Sequence, residues 1–163
     1  RLLKPTIMKR VVLLLAWTLA VLLASCGSVK TEAYYDLKTQ CIGSELDGSI
    51  TVRSFGRART ARDSYQQARK QAVYDVVFST IKTKDGGIIK PLVSEPNAKE
   101  KYQRYFDDFF SDKGAFEKYC SMKEKRFLSS RWRRTDTQSV CETTVCVYRG
   151  LLKDKLIEDG IIK

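Results

Sequence analysis

Residues 48–82 read GSITVRSFGRARTARDSYQQARKQAVYDVVFSTIK and contain the two elements on which the predicted fold depends. Apolar and polar side chains alternate over residues 50–55, which predicts a β-strand, and Gly56 is expected to end it. Alternation of this kind turns one face of a strand toward a core and the other toward solvent. The strand therefore needs an apolar partner, and the residues that follow it supply one.

An amphipathic helix is predicted over residues 61–82. Thr60 precedes it and Asp63 follows three positions later, as in a capping box with Asp in the usual Glu position. The apolar side chains recur at helical spacing: Ala61, Tyr65, Ala68, Ala72, Val76, Val77, Phe78 and Ile81. Because Ala68 and Ala72 are small, we expect this helix to pack closely against a sheet.

The rest of the chain predicts more helices and a hairpin. The elements follow in this order: a helix over residues 96–110, a short helix from 112 to 122, strands over 125–134 and 138–149 joined by a polar turn, and a helix over 151–158. Helices grouped against a mostly antiparallel sheet are typical of the α+β class. We therefore predict a two-layer α+β domain with its helices on one face of a small sheet.

The composition excludes several kinds of chemistry. The 163 residues include no histidine, which rules out Ser-His-Asp and Cys-His nucleophile systems, zinc sites with histidine ligands and imidazole acid–base catalysis. Lys and Arg number 30 against 19 Asp and Glu, giving a formal net charge of +11. We therefore expect a basic protein that meets anionic partners.

An export signal is predicted near the start of the sequence. Met8, Lys9 and Arg10 precede an apolar run over residues 11–24, and small residues follow; these are the three parts of a secretory signal peptide. The run is shorter than the roughly 20 apolar residues of a membrane-spanning helix. Residues 1–7 precede a better start at Met8 and are interpreted as an upstream extension.

The end of the apolar run carries a lipidation motif. Residues 23–26 read LASC, which resembles the lipobox of bacterial lipoproteins. The resemblance implies cleavage before Cys26, lipidation of that cysteine and anchoring of the protein to a membrane by its acyl chains. Gly27 after Cys26, instead of Asp, favours the outer membrane of the bacterial envelope, with the domain facing the periplasm.

The chain is therefore predicted to have three parts. They are an extension with a cleaved signal peptide over residues 1–25, a lipid-anchored tether over 26–47 and a single α+β domain over 48–163. Cleavage lowers the formal charge to +7, since it removes Arg1, Lys4, Lys9 and Arg10. Outside the cytosol the available anions are lipid head groups, glycans and acidic proteins, so we expect no nucleic acid partner.

A second resemblance covers the strand and the helix that follow the tether. Residues 48–59, followed by the alanine-rich residues 67–72, are similar to small envelope lipoproteins that share the fold of the N-terminal domain of flagellar assembly protein T. The resemblance implies that the alanine-rich helix packs back onto the sheet. It supplies no catalytic residues.

Four cysteines follow Cys26 and are candidates for disulfides: Cys41, Cys120, Cys141 and Cys146. One or two disulfides are typical of an oxidising compartment, and free thiols are the alternative. On one strand, Cys141 and Cys146 would lie about 17 Å apart, so these two are not expected to pair. No CxxC spacing or histidine supports a metal site.

The candidate anion-binding residues lie where the predicted strand meets the helix: Arg53, Arg57, Arg59 and Arg62. A helix N-terminus offers unpaired N–H groups and the positive end of the helix dipole, so these arginines beside Gly56 are suited to a phosphate or a carboxylate. The alternative interpretation is a set of solvated arginines around a turn.

The candidate partner surface lies on the predicted hairpin: Arg126, Arg131, Trp132, Arg133 and Arg134. Arginines next to an aromatic ring can bind head groups or proteins. In the alternative interpretation these cations protect an edge strand against pairing with another chain. The aromatic residues over 102–119 are expected to lie mostly in the core, with an exposed patch as the alternative.

No enzyme signature is present. Asp107 and Asp108 diverge by about 100° on a helix, and Cys120 has no histidine to activate it. We predict a non-enzymatic, lipid-anchored envelope protein without a cofactor, which binds another envelope protein in a structural or accessory role. The alternative is a module that binds an anionic lipid or a glycan fragment through its basic surface.

Overall fold

The computed structural model describes residues 37–123, 131–134 and 137–163, which belong to one compact unit. Its elements in chain order are β1 (Gln40–Ser44), β2 (Ile50–Ala58), α1 (Ala61–Phe78), β3 (Ile81–Thr83), β4 (Ile88–Ile89), α2 (Ala98–Lys101), α3 (Gln103–Phe109), a 3-10 helix (Ala115–Tyr119), β5 (Cys120–Met122), β6 (Arg131–Arg134), β7 (Ser139–Val147) and α4 (Arg149–Glu158). The predicted α+β class with a mostly antiparallel sheet is confirmed.

The seven strands form one open sheet. Six of them follow the order β4–β3–β1–β2–β7–β5, and β6 joins the sheet by pairing with β7. β1 and β3 are parallel, and the other pairs are antiparallel. β7 pairs with all of β2 on one side; on its other side it pairs with β5 and, further along, with β6. The two longest strands therefore lie side by side and carry the helix above them.

α1 packs on one face of β2 and β7, as the sequence predicts. Its buried side chains are Ser64, Ala68, Ala72, Val73, Asp75, Val76 and Val77. Opposite them, Val52 of β2 and Val145 of β7 are neighbours in the sheet and are fully buried. The Ser54 hydroxyl donates a hydrogen bond of 2.9 Å to the carbonyl oxygen of Ala68. We call this side of the sheet the inner face and the opposite side the outer face.

The prediction that Gly56 ends the first strand is wrong, because β2 continues to Ala58. Gly56 lies directly beneath α1: a Cβ atom there would be 1.9 Å from the carbonyl oxygen of Ser64. The glycine therefore permits the close approach of the helix and does not terminate the strand.

The predicted helix over residues 61–82 is confirmed only as far as Phe78. Ser79 has extended backbone angles, and Ile81 begins β3, which pairs with β1. Pairing with a strand far away in the sequence replaces the last helical turn. β1 also corrects the predicted domain boundary. It lies within the predicted tether over 26–47 and pairs with β2, so the folded domain begins before residue 48.

A buried carboxylate fixes the segment before β1 to α1. The side chain of Asp75 accepts hydrogen bonds from the hydroxyl of Thr39, from the amide of Gln71 at 2.9 Å and from the hydroxyl of Ser79 at 3.2 Å. Thr39 and Asp75 are both buried. Three donors thus satisfy a carboxylate that would otherwise be costly to bury.

The predicted helix over 96–110 is two short helices, α2 and α3. Tyr102 between them has φ −111° and ψ 28°, which departs from helical geometry and redirects the chain. The turn brings Phe106 and Phe109 into the core. The short helix expected from 112 to 122 is instead the 3-10 helix followed by β5.

The C-terminal predictions agree well with the structure. β6 and β7 form the expected hairpin, with Arg131 opposite Glu142 and Arg134 opposite Ser139. Residues 125–130 of the predicted strand lie outside the described residues. The closing helix is α4, which begins two residues earlier than predicted, and its Leu152 and Leu156 are fully buried.

Candidate functional site

Arginines from the two predicted basic segments meet on the outer face of the sheet. In the register, Phe55 and Arg131 both lie opposite Glu142, while Arg57 and Arg133 both lie opposite Val140. Because side chains alternate along a strand and Ser54 and Gly56 face α1, the odd-numbered residues of β2 face away from it. We call the set Arg53, Arg57, Arg131 and Arg133 the basic sheet face.

Among the described residues, one carboxylate, that of Glu142, lies within the basic sheet face. Oε1 of Glu142 is 3.4 Å from Nε of Arg53 and 4.0 Å from a terminal nitrogen of Arg131. The Glu142 side chain is 20% exposed, whereas that of Arg131 is 82% exposed. These five side chains carry a formal charge of +3, and Arg57, Arg131 and Arg133 are exposed.

An ion pair between Lys123 and Glu45 covers the part of the outer face around Thr51. The ammonium group of Lys123 donates hydrogen bonds to the carboxylate of Glu45 and, at 3.3 Å, to the hydroxyl of Thr51. The hydrogen bond to Glu45 raises the pKa of Lys123. The ion pair covers Thr51, which is buried. The open part of the outer face therefore lies toward β6.

The structure divides the predicted anion-binding residues between the outer face of the sheet and the N-terminus of α1. Arg53 and Arg57 belong to the basic sheet face, whereas Arg59 follows β2 and Arg62 lies in the first turn of α1. The helix N-terminus already has a partner, since Thr60 Oγ1 accepts a hydrogen bond of 3.1 Å from the amide of Asp63. The Thr60 hydroxyl in turn donates to the Asp63 carboxylate at 2.7 Å.

The predicted partner surface is divided between the two faces of the sheet. Arg131 and Arg133 are exposed on the outer face, while Trp132 lies opposite Cys141 on the inner face. The rings of Trp132 and Tyr65 are stacked with centroids 6.5 Å apart. Arg134 lies opposite Ser139 at the end of β6, and Arg126 lies outside the described residues. Two of the predicted arginines therefore contribute to the basic sheet face.

A groove lies between α1 and the segment that contains α2 and α3. It has a volume of about 600 Å³. Its floor is aromatic: Tyr74, Phe78, Phe106 and Phe110. Phe106 is buried and the other three rings are half-buried, so the aromatic cluster that the sequence predicts is mostly core with one partly open side.

All four cysteines of the domain are buried free thiols in this structure: Cys41, Cys120, Cys141 and Cys146. Burial raises the pKa of the Cys41 thiol, and that of Cys120 as well. A terminal nitrogen of Arg69 lies 3.9 Å from the Cys120 sulfur, which opposes that rise only in part. Thiols in such surroundings are poor nucleophiles.

The described residues contain no arrangement typical of catalysis by a metal. No three Cys, Asp or Glu side chains among them come together as a metal site requires. Asp107 and Asp108 are both exposed on α3. In the same part of the chain, no helix combines the length and the apolar character that crossing a bilayer requires.

None of the protein families, characterised proteins or solved structures with which the chain was compared matches it. The function is therefore inferred from the chemistry of the described side chains and from the lipobox-like residues 23–26. The feature that sequence reasoning missed is the union of two separate basic segments on one sheet face, which depends on the cross-strand register of β2, β7 and β6.

Proposed function

We propose that this chain is a lipid-anchored protein of the bacterial cell envelope, without enzymatic activity, that docks on an acidic surface of another envelope protein. The lipobox at residues 23–26 supports the anchor. The observation that carries the docking role is the basic sheet face, where Arg53 and Arg131 pair with Glu142 and where Arg57 and Arg133 lie opposite Val140.

The composition of the basic sheet face favours a protein partner. Phe55 is half-buried beside Glu142, and Val140 is half-buried between Arg57 and Arg133. Apolar and aromatic groups interleaved with arginines are typical of the centres of protein–protein interfaces. A face with a net positive charge also attracts an acidic partner over distance, and the association rate falls as the salt concentration rises.

A second candidate is a module that binds an anionic lipid or an acidic glycan fragment. It is favoured by the exposure of Arg131 and Arg57, since a guanidinium group can form two parallel hydrogen bonds to a phosphate or a carboxylate. Both candidates use the same face, so their ligands distinguish them.

Crosslinking in whole cells tests the docking role. The full chain is crosslinked, and the captured proteins are compared between Arg57→Glu/Arg131→Glu and the control Arg104→Glu/Lys153→Glu, which changes the charge equally on exposed positions of α3 and α4. We expect the first variant to lose a reproducible partner and the control to retain it. Equal capture by both variants would contradict the proposal.

Two further measurements test the lipid anchor and the class of ligand independently of each other. Cys26→Ser is expected to release the protein from the membrane fraction, and continued tight association would refute the lipid anchor. Salt-sensitive binding to phosphatidylglycerol vesicles, lost in Arg57→Glu/Arg131→Glu and without a captured protein, would favour the second candidate.

A further inference from the structure

We propose that the groove between α1 and the α2–α3 segment binds a short, uncharged oligosaccharide. This site lies on the helical side of the domain, away from the basic sheet face, and it depends neither on the lipid anchor nor on the docking role. Its lining, its charge balance and its length carry the inference.

The floor of the groove is a continuous aromatic surface. Tyr74 and Phe78 have ring centroids 4.9 Å apart, and Phe78 and Phe106 are 4.7 Å apart in an edge-to-face arrangement. The ring of Phe110 is the fourth member of the cluster, with its centroid 5.5 Å from that of Tyr74. Phe106 is buried, whereas Tyr74, Phe78 and Phe110 are half-buried. The open parts of these three rings offer an apolar surface that matches the C–H face of a pyranose ring, which is the apolar side of an otherwise polar molecule.

Side-chain amides stand along the rim of this aromatic floor. Gln67 projects from α1 and Gln103 from α3, and both are exposed. The amide of Gln71, also in the lining, donates to Asp75. A primary amide both donates and accepts hydrogen bonds, as a sugar hydroxyl does. The amides of Gln67 and Gln103 above an aromatic floor therefore suit a ligand with many hydroxyl groups and one apolar face.

The charges that line the groove cancel. Lys70 and Lys99 are balanced by Glu100 and Asp107, so the lining has no net formal charge. An anionic or cationic ligand would meet a like charge as well as an opposite one in this space. The balance favours an uncharged ligand whose hydroxyl groups bond to both kinds of side chain, and it distinguishes the groove from the basic sheet face.

The length of the groove indicates more than one sugar ring. Gln67, Gln71, Tyr74 and Phe78 follow one stripe of α1, and eleven residues of helix correspond to about 16 Å. That is the length of a short oligosaccharide, and the volume of about 600 Å³ lies in the usual range of small-molecule sites.

One lysine covers part of the floor in the structure. Nζ of Lys99 lies 4.6 Å from the ring centroid of Tyr74 and 4.8 Å from that of Phe78. Lys99 also donates a hydrogen bond to the hydroxyl of Tyr74. It is exposed and comes from the short helix α2, so its side chain can exchange this bond for one to a sugar hydroxyl without a change in the backbone. Its ammonium group then becomes a donor at the edge of the bound sugar.

Saturation-transfer-difference NMR on the full chain tests the site with triacetylchitotriose and cellotriose, two uncharged trisaccharides. We expect transfer to the ring protons of at least one of them, with an affinity that changes little between low and high salt. In Gln67→Ala/Gln103→Ala the affinity should fall about tenfold, the effect of losing one to two hydrogen bonds. Gln66→Ala, an exposed amide on the same helix outside the groove, is the matched control.

The aromatic floor has its own pair of variants. Tyr74→Phe keeps the ring and should bind as the parent does, whereas Tyr74→Leu keeps apolar volume without a ring and should bind at least about tenfold more weakly. Failure of both trisaccharides at millimolar concentration would overturn the proposal. So would equal binding by the Gln67→Ala/Gln103→Ala variant and its control, or displacement of the sugar by decanoate, which would identify the groove as a site for an anionic amphiphile.

Discussion

Gly56 of β2 lies so close to Ala68 of α1 that a Cβ atom on Gly56 would be 2.3 Å from the amide nitrogen of Ala68. The atoms it would meet belong to the helix backbone, which cannot move aside as a flexible side chain can. The position of α1 over the sheet, and with it the separation of the groove from the basic sheet face, depends on this contact.

Gly56→Ala is therefore expected to lower the free energy of unfolding by about 3 kcal/mol, because α1 must move away from β2. Urea unfolding followed by circular dichroism measures the change. The control is Gly43→Ala, since a Cβ atom at Gly43 meets nothing within 4 Å, and its cost should stay below about 1 kcal/mol. Equal losses in both variants would contradict the close packing.

Removal of the buried carboxylate of Asp75 should loosen the start of the domain. Asp75→Ala leaves the buried hydroxyl of Thr39 without its acceptor, and we expect a loss of about 2–3 kcal/mol in the free energy of unfolding. Hydrogen exchange should also become faster at the β1 amides. Asp154→Ala removes an exposed aspartate from α4 and should change neither quantity appreciably.

Glu142 should weaken the attraction of the basic sheet face for anions. Glu142→Gln removes a carboxylate that pairs with both Arg53 and Arg131, whereas Glu158→Gln removes the same charge from α4. The two variants have equal net charge, and yet Glu142→Gln is expected to elute from a sulfonate cation-exchange column at higher salt. Elution at the same salt concentration would mean that these arginines do not act together.

The pH dependence of stability should show the contact between Tyr105 and Asp159. Lys155 donates a hydrogen bond of 2.9 Å to the Asp159 carboxylate and the Tyr105 hydroxyl donates one of 2.7 Å, and these two bonds lower the pKa of Asp159. Burial, followed by the bond to Asp159, raises the pKa of Tyr105. The carboxylate form is therefore favoured in the folded state.

This contribution is complete above the ordinary aspartate pKa of about 3.9 and is lost as the pH falls through the lowered pKa of the folded state. Asp159→Asn should thus be less stable than the parent at pH 7, by less than about 1 kcal/mol because the pair is partly exposed. The difference should vanish in acid. Urea unfolding between neutral and acidic pH measures it, with Asp154→Asn as the control, and a difference that persists in acid would exclude this linkage.

The sequence predicts those elements whose signals are local. Alternation over residues 50–55 identifies β2, helical spacing after Thr60 identifies α1, and a polar turn identifies the hairpin of β6 and β7. β3 escapes prediction because it is defined by pairing with β1, about forty residues away in the sequence, and it has no periodic pattern of its own. β1 pairs with β2 as well as with β3, but its five residues do not alternate as a strand predicted from sequence would. β4 is only two residues long, too short for alternation to distinguish a strand from an apolar loop.

In the candidate sites too, the sequence predicts what is local and does not predict what depends on long-range pairing. The sequence identifies both basic segments, but the register that places Arg57 and Arg133 on either side of Val140 is a property of the folded sheet. Likewise, the aromatic residues over 102–119 are visible in the sequence, whereas the groove arises because the chain turns at Tyr102 and brings α3 alongside α1.

The central position of β2 and β7 has a mechanical consequence. α1 covers their inner face and forms a wall of the groove, while the arginines stand on their outer face. A ligand on one side leaves the other side unobstructed, so the two surfaces are sterically independent. With the proposed protein partner on the basic sheet face and the proposed oligosaccharide in the groove, the domain would bind two ligands at once. If both ligands belong to one assembly, binding of the first raises the effective concentration of the second.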